Sequence, residues 1–402
     1  MKTNSVPKIR FKGFTDDWEE RKLTEIVNRV NKSSNSDVLP KVEFEDIVSG
    51  EGRLNKDISS KFDSRKGTLF EPENILYGKL RPYLKNWLFP DFEGVALGDF
   101  WVFEATDVSV PSFDYYLIQS DDYQKVANDT SGTKMPRSDW KNVSSTDFAI
   151  PSKDEQKQIG SFFKQLDDTI ALHQRKCEQT KELKKFMLQK MFPKKGEKNP
   201  EIRFPGFTDD WEQRKLGEIA DKVTKKNKDI VVDEVFTNSA EFGIISQRDF
   251  FDKEIANAEN IGGYYIVEPN DFVYNPRIST TAPFGPIKRN KLERTGAMSP
   301  LYYVFRPHGI DLSYLEWYFQ TTCWHAFMRV NGNSGARSDR FAITDKTFNK
   351  MLISVPQDIE EQRKVGTFLT ELDYLITLHQ RKCEQLKELK KFMLQNMFPK
   401  KG

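Results

Sequence analysis

LHQRKCEQTKELKKFMLQKMFPKKG, residues 172–196, returns as LHQRKCEQLKELKKFMLQNMFPKKG, residues 378–402, with 23 of 25 positions identical. A shorter motif, IRFKGFTDDWEERKL at residues 9–23, returns as IRFPGFTDDWEQRKL at residues 202–216. Between these shared stretches lie two long blocks, residues 24–145 and 217–350, with no obvious likeness to each other. The short motif recurs at an offset of 193 residues and the long one at 206, so the second block is 13 residues longer. A frame kept constant around different contents points to one scaffold holding two differently specialised modules.

The long repeat reads as helix. From Pro151 to Met191 and from Pro356 to Met397 the chain has no further proline and one glycine in each stretch, Gly160 or Gly366. Asp154 and Asp358 sit where a helix N-terminus favours negative charge. In the first copy Phe163, Ile170, Cys177 and Met191 fall on heptad a positions, and Leu166, His173, Thr180 and Met187 on d. The second copy answers with Leu369, Ile376, Cys383 and Met397 at a, and Leu372, His379, Leu386 and Met393 at d. Lys184 and Lys390 interrupt one a position each, which weakens the seam. An antiparallel pairing of the two copies places the modules at opposite ends. Leu183, Phe186, Leu188 and Phe192, with Leu389, Phe392, Leu394 and Phe398, lie off the seam and demand burial that a two-helix coil does not supply. A second protein is the expected source, and packing on the chain's own modules the alternative.

The blocks themselves are rich in Phe, Tyr, Val and Ile, punctuated by Gly, Pro, Asn and Asp. Runs such as NILYGKL and SPLYYVFRP read as short strands, while SFDYYLIQSDDYQKVAND and DLSYLEWYFQTTCWHAFMRV read as helices. Each block is expected to be an α+β globule on a mostly antiparallel sheet. The Thr15–Asp16–Asp17–Trp18 segment and its repeat at Thr208–Trp211 read as capped starts of short helices. The expected division is therefore residues 1–150, a helix at 151–196, a second module at 197–355 and a second helix at 356–402.

Composition narrows the function. With 402 residues, 37% hydrophobic and 30% charged, the chain reads as globular, with about two to three domains. No apolar run is long enough to span a membrane and the N-terminus lacks a signal-peptide core, so a cytoplasmic location is expected. Three cysteines do not make a disulfide framework. There is no phosphate-binding glycine loop and no dinucleotide fingerprint. Tyr274–Asn275–Pro276–Arg277 lacks the second proline and the aromatic end of an adenine-methylation motif, and Pro90–Asp91 with Glu104 lacks the lysine of a nuclease site. No catalytic residue is assigned. His173 with Cys177 and His379 with Cys383 have zinc-compatible spacing, but all four lie on the seam, where they fill space, so no metal is assigned.

Net charge is only +2, so local clusters must carry any case for nucleic acid. The first block places Lys79, Arg81 and Lys85 among Tyr77, Tyr83 and Trp87, and Lys134 and Arg137 in SGTKMPRSDW. The second places Arg277, Lys288, Arg289, Lys291 and Arg294 within YNPRISTTAPFGPIKRNKLER, and Arg337 and Arg340 in GNSGARSDRF. Lys and Arg neutralise phosphates, and Arg clamps guanine through two hydrogen bonds. Ten of these residues are candidate DNA contacts: Lys79, Arg81, Lys85, Lys134, Arg137, Arg277, Lys288, Arg289, Arg337 and Arg340.

Taken together, the duplicated order resembles the specificity subunits of type I restriction–modification systems. The most characteristic stretches are IPSKDEQKQIGSFFKQLDDTI and SVPQDIEEQRKVGTFLTELDYLI, with GFTDDWEERKL and the SGT and SGA loops. The resemblance implies two target-recognition globules separated by two long helices in an antiparallel coiled coil, related by an internal pseudo-two-fold repeat. It implies a non-catalytic subunit in which each globule reads one half of a bipartite, asymmetric site on double-stranded DNA. Two methyltransferase subunits would dock on the helices, and restriction/translocase subunits would join them. AdoMet, ATP and Mg²⁺ would belong to those partners and no cofactor to this chain. Two other readings stand beside it: a scaffold binding proteins or sugars, and a stand-alone nuclease. Taken as about 38 residues long, each helix spans roughly 57 Å. Half-sites about 34–36 Å apart need only about 23 helical residues. The surplus, at Leu183, Phe186, Leu389 and Phe392, is the expected dock for the methylating subunits.

Overall fold

The computed structural model describes residues 6–59, 64–130, 134–250, 261–334 and 339–400. Two helices dominate the sequence, Lys153–Lys190 and Ile359–Met397. The chain divides into two compact units, one formed by Met1–Arg175 with Gln380–Gly402 and the other by Lys176–His379. Each unit thus holds the opening part of one long helix and the closing part of the other. Within each unit these parts run antiparallel. In unit 1, Cys383 Sγ lies 3.7 Å from the Ile170 carbonyl and Lys390 Nζ 2.7 Å from Asp167 Oδ1. In unit 2, Cys177 Sγ lies 3.9 Å from the Ile376 carbonyl, and Lys184 pairs with Asp373. Phe163, Ile170, Cys177 and Met191 are buried, as are Leu369, Ile376, Cys383 and Met397, as the heptad pattern requires.

The two seam lysines are accommodated in the same way. Besides its carboxylate partner, Lys390 Nζ sits 5.4 Å from the Tyr116 ring, and Lys184 Nζ sits 4.8 Å from the Trp317 ring. Each aliphatic stem packs in the seam while the ammonium finds an anion and an aromatic face. The single glycine of each helix also has a local reason. A Cβ on Gly160 would stand 2.3 Å from Ser112 Oγ, and one on Gly366 would stand 2.7 Å from the Tyr314 nitrogen. The long helices therefore pack directly on the short helices Pro111–Leu117 and Leu312–Tyr318.

Burial of the helix ends corrects one expectation. Phe398 is buried in unit 1, with its ring 5.6 Å from Phe113, 6.2 Å from Trp18 and 6.3 Å from Phe163. Phe192 is buried in unit 2, 5.6 Å from Tyr314 and 6.4 Å from Trp211. Leu188 and Leu394 are partly buried on the same cores. These off-seam residues need no second protein: the chain's own modules bury them. Leu183, Phe186, Leu389 and Phe392 remain exposed.

The opening motif also departs from expectation. Residues 15–18 start no helix; they lead into strand Glu19–Lys22, which pairs antiparallel with Asp147–Ile150, the residues just before Pro151. In unit 2, Glu212–Lys215 pairs with Leu352–Val355 just before Pro356. The partner strand lies far along the chain, and its pairing overrides the local capping signal. A buried ion pair locks each motif to its helix. Arg10 Nε and Nη2 donate to Glu155 Oε1 and Oε2 at 2.7 and 2.8 Å, and Nη2 also donates to the Asp16 carbonyl at 2.6 Å. Arg203 repeats this on Glu361 at 2.6 and 2.9 Å and on the Asp209 carbonyl at 2.7 Å. Glu155 and Glu361 are each 1% exposed. Gln156 and Gln362, the next residues, each donate at 2.8 Å to the carbonyl of the preceding proline, Pro151 or Pro356. The repeated Glu-Gln pair is a joint between the opening motif and the helix.

The blocks that lack sequence likeness share a fold. Unit 1 has an antiparallel sheet in the order Val27–Val30, Phe100–Ala105, Ile75–Gly78, Trp87–Leu88. Unit 2 has Ala220–Lys222, Tyr303–Pro307, Phe272–Tyr274, Ile287–Arg289 in the same order. Pairing of Ile75 with Phe103 and of Phe272 with Phe305 fixes the correspondence. A second four-stranded sheet accompanies each, built around one parallel pair, Lys41–Val42 with Gly94–Ala96 or Val235–Ser239 with Gly296–Met298. The fourth strand differs. Ser33–Ser34 joins beside Gly67–Phe70 in unit 1, whereas Gly243–Ser246 joins on the opposite edge in unit 2. Among the described residues no helix is long and apolar enough to cross a membrane.

The clamp gives a stability prediction. Removing one partner of a buried, hydrogen-bonded ion pair typically costs about 3–5 kcal/mol, because the other charge is left without compensation. Glu361→Ala is expected to cost about that much, and the double change Arg203→Met with Glu361→Leu clearly less. Urea unfolding of the full chain, with hydrogen exchange assigning the loss to unit 2, measures both. A double variant as unstable as the single one would show that the uncompensated charge is not the cause.

Candidate nucleic-acid interface

In both units the central strand of the first sheet runs on into a loop that is stapled to the segment preceding the closing strand. In unit 1 the Arg81 N–H donates to the Pro136 carbonyl at 2.7 Å and the Ser138 N–H to the Lys79 carbonyl at 2.8 Å, which sets Leu80 opposite Arg137. In unit 2 the Ile278 N–H donates to the Asp339 carbonyl at 3.0 Å and the Phe341 N–H to the Pro276 carbonyl at 2.8 Å, which sets Arg277 opposite Arg340. The two bridges follow strands of matching register, so Leu80 corresponds to Arg277 and Arg137 to Arg340. The sequence, by contrast, aligns Arg137 with Arg337 through the shared Arg-Ser-Asp; the bridge moves the correspondence by three residues. Arg337 lies outside the described residues.

Unit 1 carries its cations unequally. Lys79 Nζ and Arg137 Nη2 both approach Asp99, at 3.7 and 2.8 Å, and the Lys79 N–H donates to the Asp99 carbonyl at 2.9 Å. Arg81 and Lys134 are exposed and have no ion-pair partner among the described residues. Arg81 and Lys85 flank the short 3-10 turn Pro82–Leu84 with left-handed backbones, φ +48° and +55°. Non-glycine residues adopt that region at a cost of about 1–3 kcal/mol, so the surrounding hydrogen bonds dictate the loop's shape. Tyr83 and Met135 are exposed beside these cations. Tyr83 was visible in the sequence among the basic residues, but Met135 carried no signal of its own. Lys85 is set apart, bordering a cleft of about 590 Å³ that Glu51, Tyr115, Asp167 and Lys387 also line.

Unit 2 separates its candidates into two groups. Arg277 and Arg340 are exposed neighbours with no ion-pair partner among the described residues. Asn275 builds their platform: its side-chain Oδ1 accepts the Arg277 N–H at 2.9 Å and its Nδ2 donates to the Asn238 carbonyl at 2.8 Å. Gly285 (φ +82°) passes so close that a Cβ there would stand 2.0 Å from the Asn275 carbonyl oxygen. The Tyr-Asn-Pro-Arg tetrapeptide is thus a loop platform. Lys288 and Arg289 point elsewhere. Lys288 donates to Gln320 Oε1 at 3.1 Å, and burial pushes its ammonium below the usual lysine range. Arg289 donates to Asn270 Oδ1 at 2.9 Å and lies 3.7 Å from Glu316. The structure therefore does not bring these two together with Arg277 and Arg340.

The four candidate docking residues keep their side chains in solvent. Leu183 and Phe186 in unit 2 are 43% and 48% exposed, and Leu389 and Phe392 in unit 1 are 44% and 53% exposed. Spaced three apart, each pair shares one helix face.

The chain matches the family described as "Type I restriction modification DNA specificity domain" twice, over residues 15–182 and 208–388. It is 28% identical over 171 residues to the "Type I restriction enzyme HindI specificity subunit" of Haemophilus influenzae, covering 39% of this chain and 37% of that protein. It is 25% identical over 285 residues to the "Type I restriction enzyme MjaVIII specificity subunit" of Methanocaldococcus jannaschii, covering 65% and 63%. The matches thus span a little over a third of one curated relative and under two thirds of the other. A crystal structure of a type I restriction–modification S subunit from M. genitalium shares the fold, with a TM-score of 0.60 at 13% identity, over 99% of this chain and 100% of that one. The two matched segments take in both strand-and-loop platforms and most of both long helices, and the chain belongs to the family of type I restriction modification DNA specificity domains.

Proposed function

We propose that this chain is the DNA-recognition subunit of a type I restriction–modification complex, and that it directs methylation or restriction without carrying out either itself. Each unit reads one half of a bipartite, asymmetric duplex site. The observation that carries this reading is the pair of matched loop platforms. One frame, one order of the first sheet and one bridge register recur, yet the side chains at the matched positions differ, half-buried Leu80 with exposed Arg137 against exposed Arg277 and Arg340. A protein that needed one surface twice would repeat it; a reader of two different half-sites needs the frame constant and the surface changed. Arg81, Lys134, Arg137, Arg277 and Arg340 are the proposed contacts, with Lys79 sharing Asp99 with Arg137. Arg337 is proposed on sequence alone. Lys288 and Arg289 are better placed to hold their own module together, through Gln320, Asn270 and Glu316, while Lys85 stands exposed at the cleft beside this loop.

The same reading gives the exposed Leu183, Phe186, Leu389 and Phe392 to the methyltransferase subunits. Apolar side chains held in water at matched positions of two repeated helices favour a second protein. Two copies of the dock suit two methyltransferase subunits, with restriction/translocase subunits joining that assembly. AdoMet, ATP and Mg²⁺ chemistry is assigned to those partners.

Exchanging residues 217–350 for the block of another family member tests modular reading. It is expected to change one half of the methylated sequence and leave the other intact, as read from the modified bases in host DNA. A change in both halves, or in neither, contradicts the proposal. For the dock, Phe186→Ser with Phe392→Ser is expected to leave a folded chain that no longer co-purifies with the methyltransferase. Recovery of the complex at normal stoichiometry would place the dock elsewhere.

A further inference from the structure

We infer that unit 2 reads a G·C base pair through the paired guanidinium groups of Arg277 and Arg340, an inference that rests on the DNA-reading proposal above and sharpens it. The hydrogen bonds run from Ile278 to Asp339 and from Phe341 to Pro276, and so flank the bridged pair. That pattern makes Arg277 and Arg340 a non-hydrogen-bonded pair, the closer of the two antiparallel spacings, with Cα atoms about 4.5 Å apart and side chains on one face. Like charges directly opposite each other destabilise a ladder. No carboxylate among the described residues relieves these two. The fold gains nothing from the pair, which therefore awaits an external acceptor.

Two features favour a base over a phosphate as that acceptor. A phosphate anchor tolerates a flexible stem, whereas base reading needs the fork held at a fixed height and angle. Here the strand is held by its bridge, by Asn275 Oδ1 on the Arg277 N–H and by the close approach of Gly285 to Asn275. The acceptor that matches a rigid guanidinium fork is the O6 and N7 edge of guanine in the major groove. The matched place in unit 1 provides the contrast. It holds one apolar residue, Leu80, and one arginine, Arg137, already engaged by Asp99 at 2.8 Å. The two half-sites should therefore differ in guanine at the bases beneath these bridges.

Selection from a randomised double-stranded DNA library, using the full chain assembled with its methyltransferase subunits, tests this. Exchange of residues 217–350 identifies which selected half belongs to unit 2. That half is expected to hold a fixed G·C pair, which Arg277→Ala and Arg340→Ala each lose while the remaining fixed bases of the same half persist, showing that unit 2 of the variants is folded. Affinity for the wild-type sequence should fall roughly 5- to 150-fold, and 7-deazaguanine at that position should weaken the wild-type complex similarly. A unit 2 half-site without a fixed G·C pair overturns the inference, as does one that both variants retain. So does a loss uniform across all duplexes with a shallower salt dependence, which marks phosphate contacts. If the wild-type complex selects no sequence at all, DNA reading itself has failed, a result distinct from the loss of one base pair.

Discussion

Each unit is completed by a phenylalanine just past the end of a helix whose first turns belong to the other unit. Phe398 closes the core of unit 1 between Trp18, Phe113 and Phe163, and Phe192 closes that of unit 2 against Trp211 and Tyr314. Truncating a buried Phe of this kind typically costs about 3–5 kcal/mol. This interaction explains why the helix repeat is so nearly verbatim. Its residues answer at once to the seam, to a module core and to the solvent-facing pair, leaving few positions free to drift. The strand pairing and the Arg–Glu clamp then tie the start of each helix to the same core that the other helix ends in.

What the sequence disclosed followed from what is local. Heptad spacing, the prolines that precede the helices and the bare solvent faces depend on residues within a few turns of one another, and the pattern carried them. Strand Glu19–Lys22 escaped because its partner is Asp147–Ile150, more than a hundred residues away, while Thr15–Trp18 offers a local capping signal with nothing to cap. The common topology of the two blocks escaped for a related reason. Sheet order is set by which faces are apolar and where the turns fall, and Ile75-Leu76-Tyr77 and Phe272-Val273-Tyr274 meet that demand with different residues. Phe192 and Phe398 showed themselves as apolar and off the seam, but periodicity says that a side chain is buried, not by what.

At the candidate site the limits are finer. All ten cations were visible in the sequence, but their grouping was not. Arg137 and Arg337 share an Arg-Ser-Asp context, yet the ladder puts Arg340 in the place of Arg137. Lys288 and Arg289 sit only eleven and twelve residues beyond Arg277, but the strand Ile287–Arg289 turns them toward Gln320, Asn270 and Glu316. Counting basic residues in a stretch overstates a binding surface whenever an edge strand uses some of them for its own packing. Asp99 shows the converse, since one carboxylate engages Arg137 where none among the described residues engages Arg340.

The seam lysines select the register of each helix pairing. Placing Lys184 and Lys390 where Ile or Leu would fit lowers the apolar content of a short coil, and an ion pair there adds little net stability. The best-attested use of such a polar intrusion is to set register. Within unit 1, Lys390 meets Asp167 and Tyr116, and within unit 2, Lys184 meets Asp373 and Trp317. Slipping either pairing by a heptad would move the helix about 10 Å, at about 1.5 Å per residue. The ammonium would lose both its anion and its aromatic face, and Phe398 or Phe192 would leave the pocket it fills. Ion pair and aromatic plug thus select the same alignment, one by the penalty of a stranded charge and the other by the penalty of an empty core. Agreement between two unlike interactions lets a short and imperfect seam hold a single register, and it leaves the loop platforms free to differ without disturbing the frame beneath them.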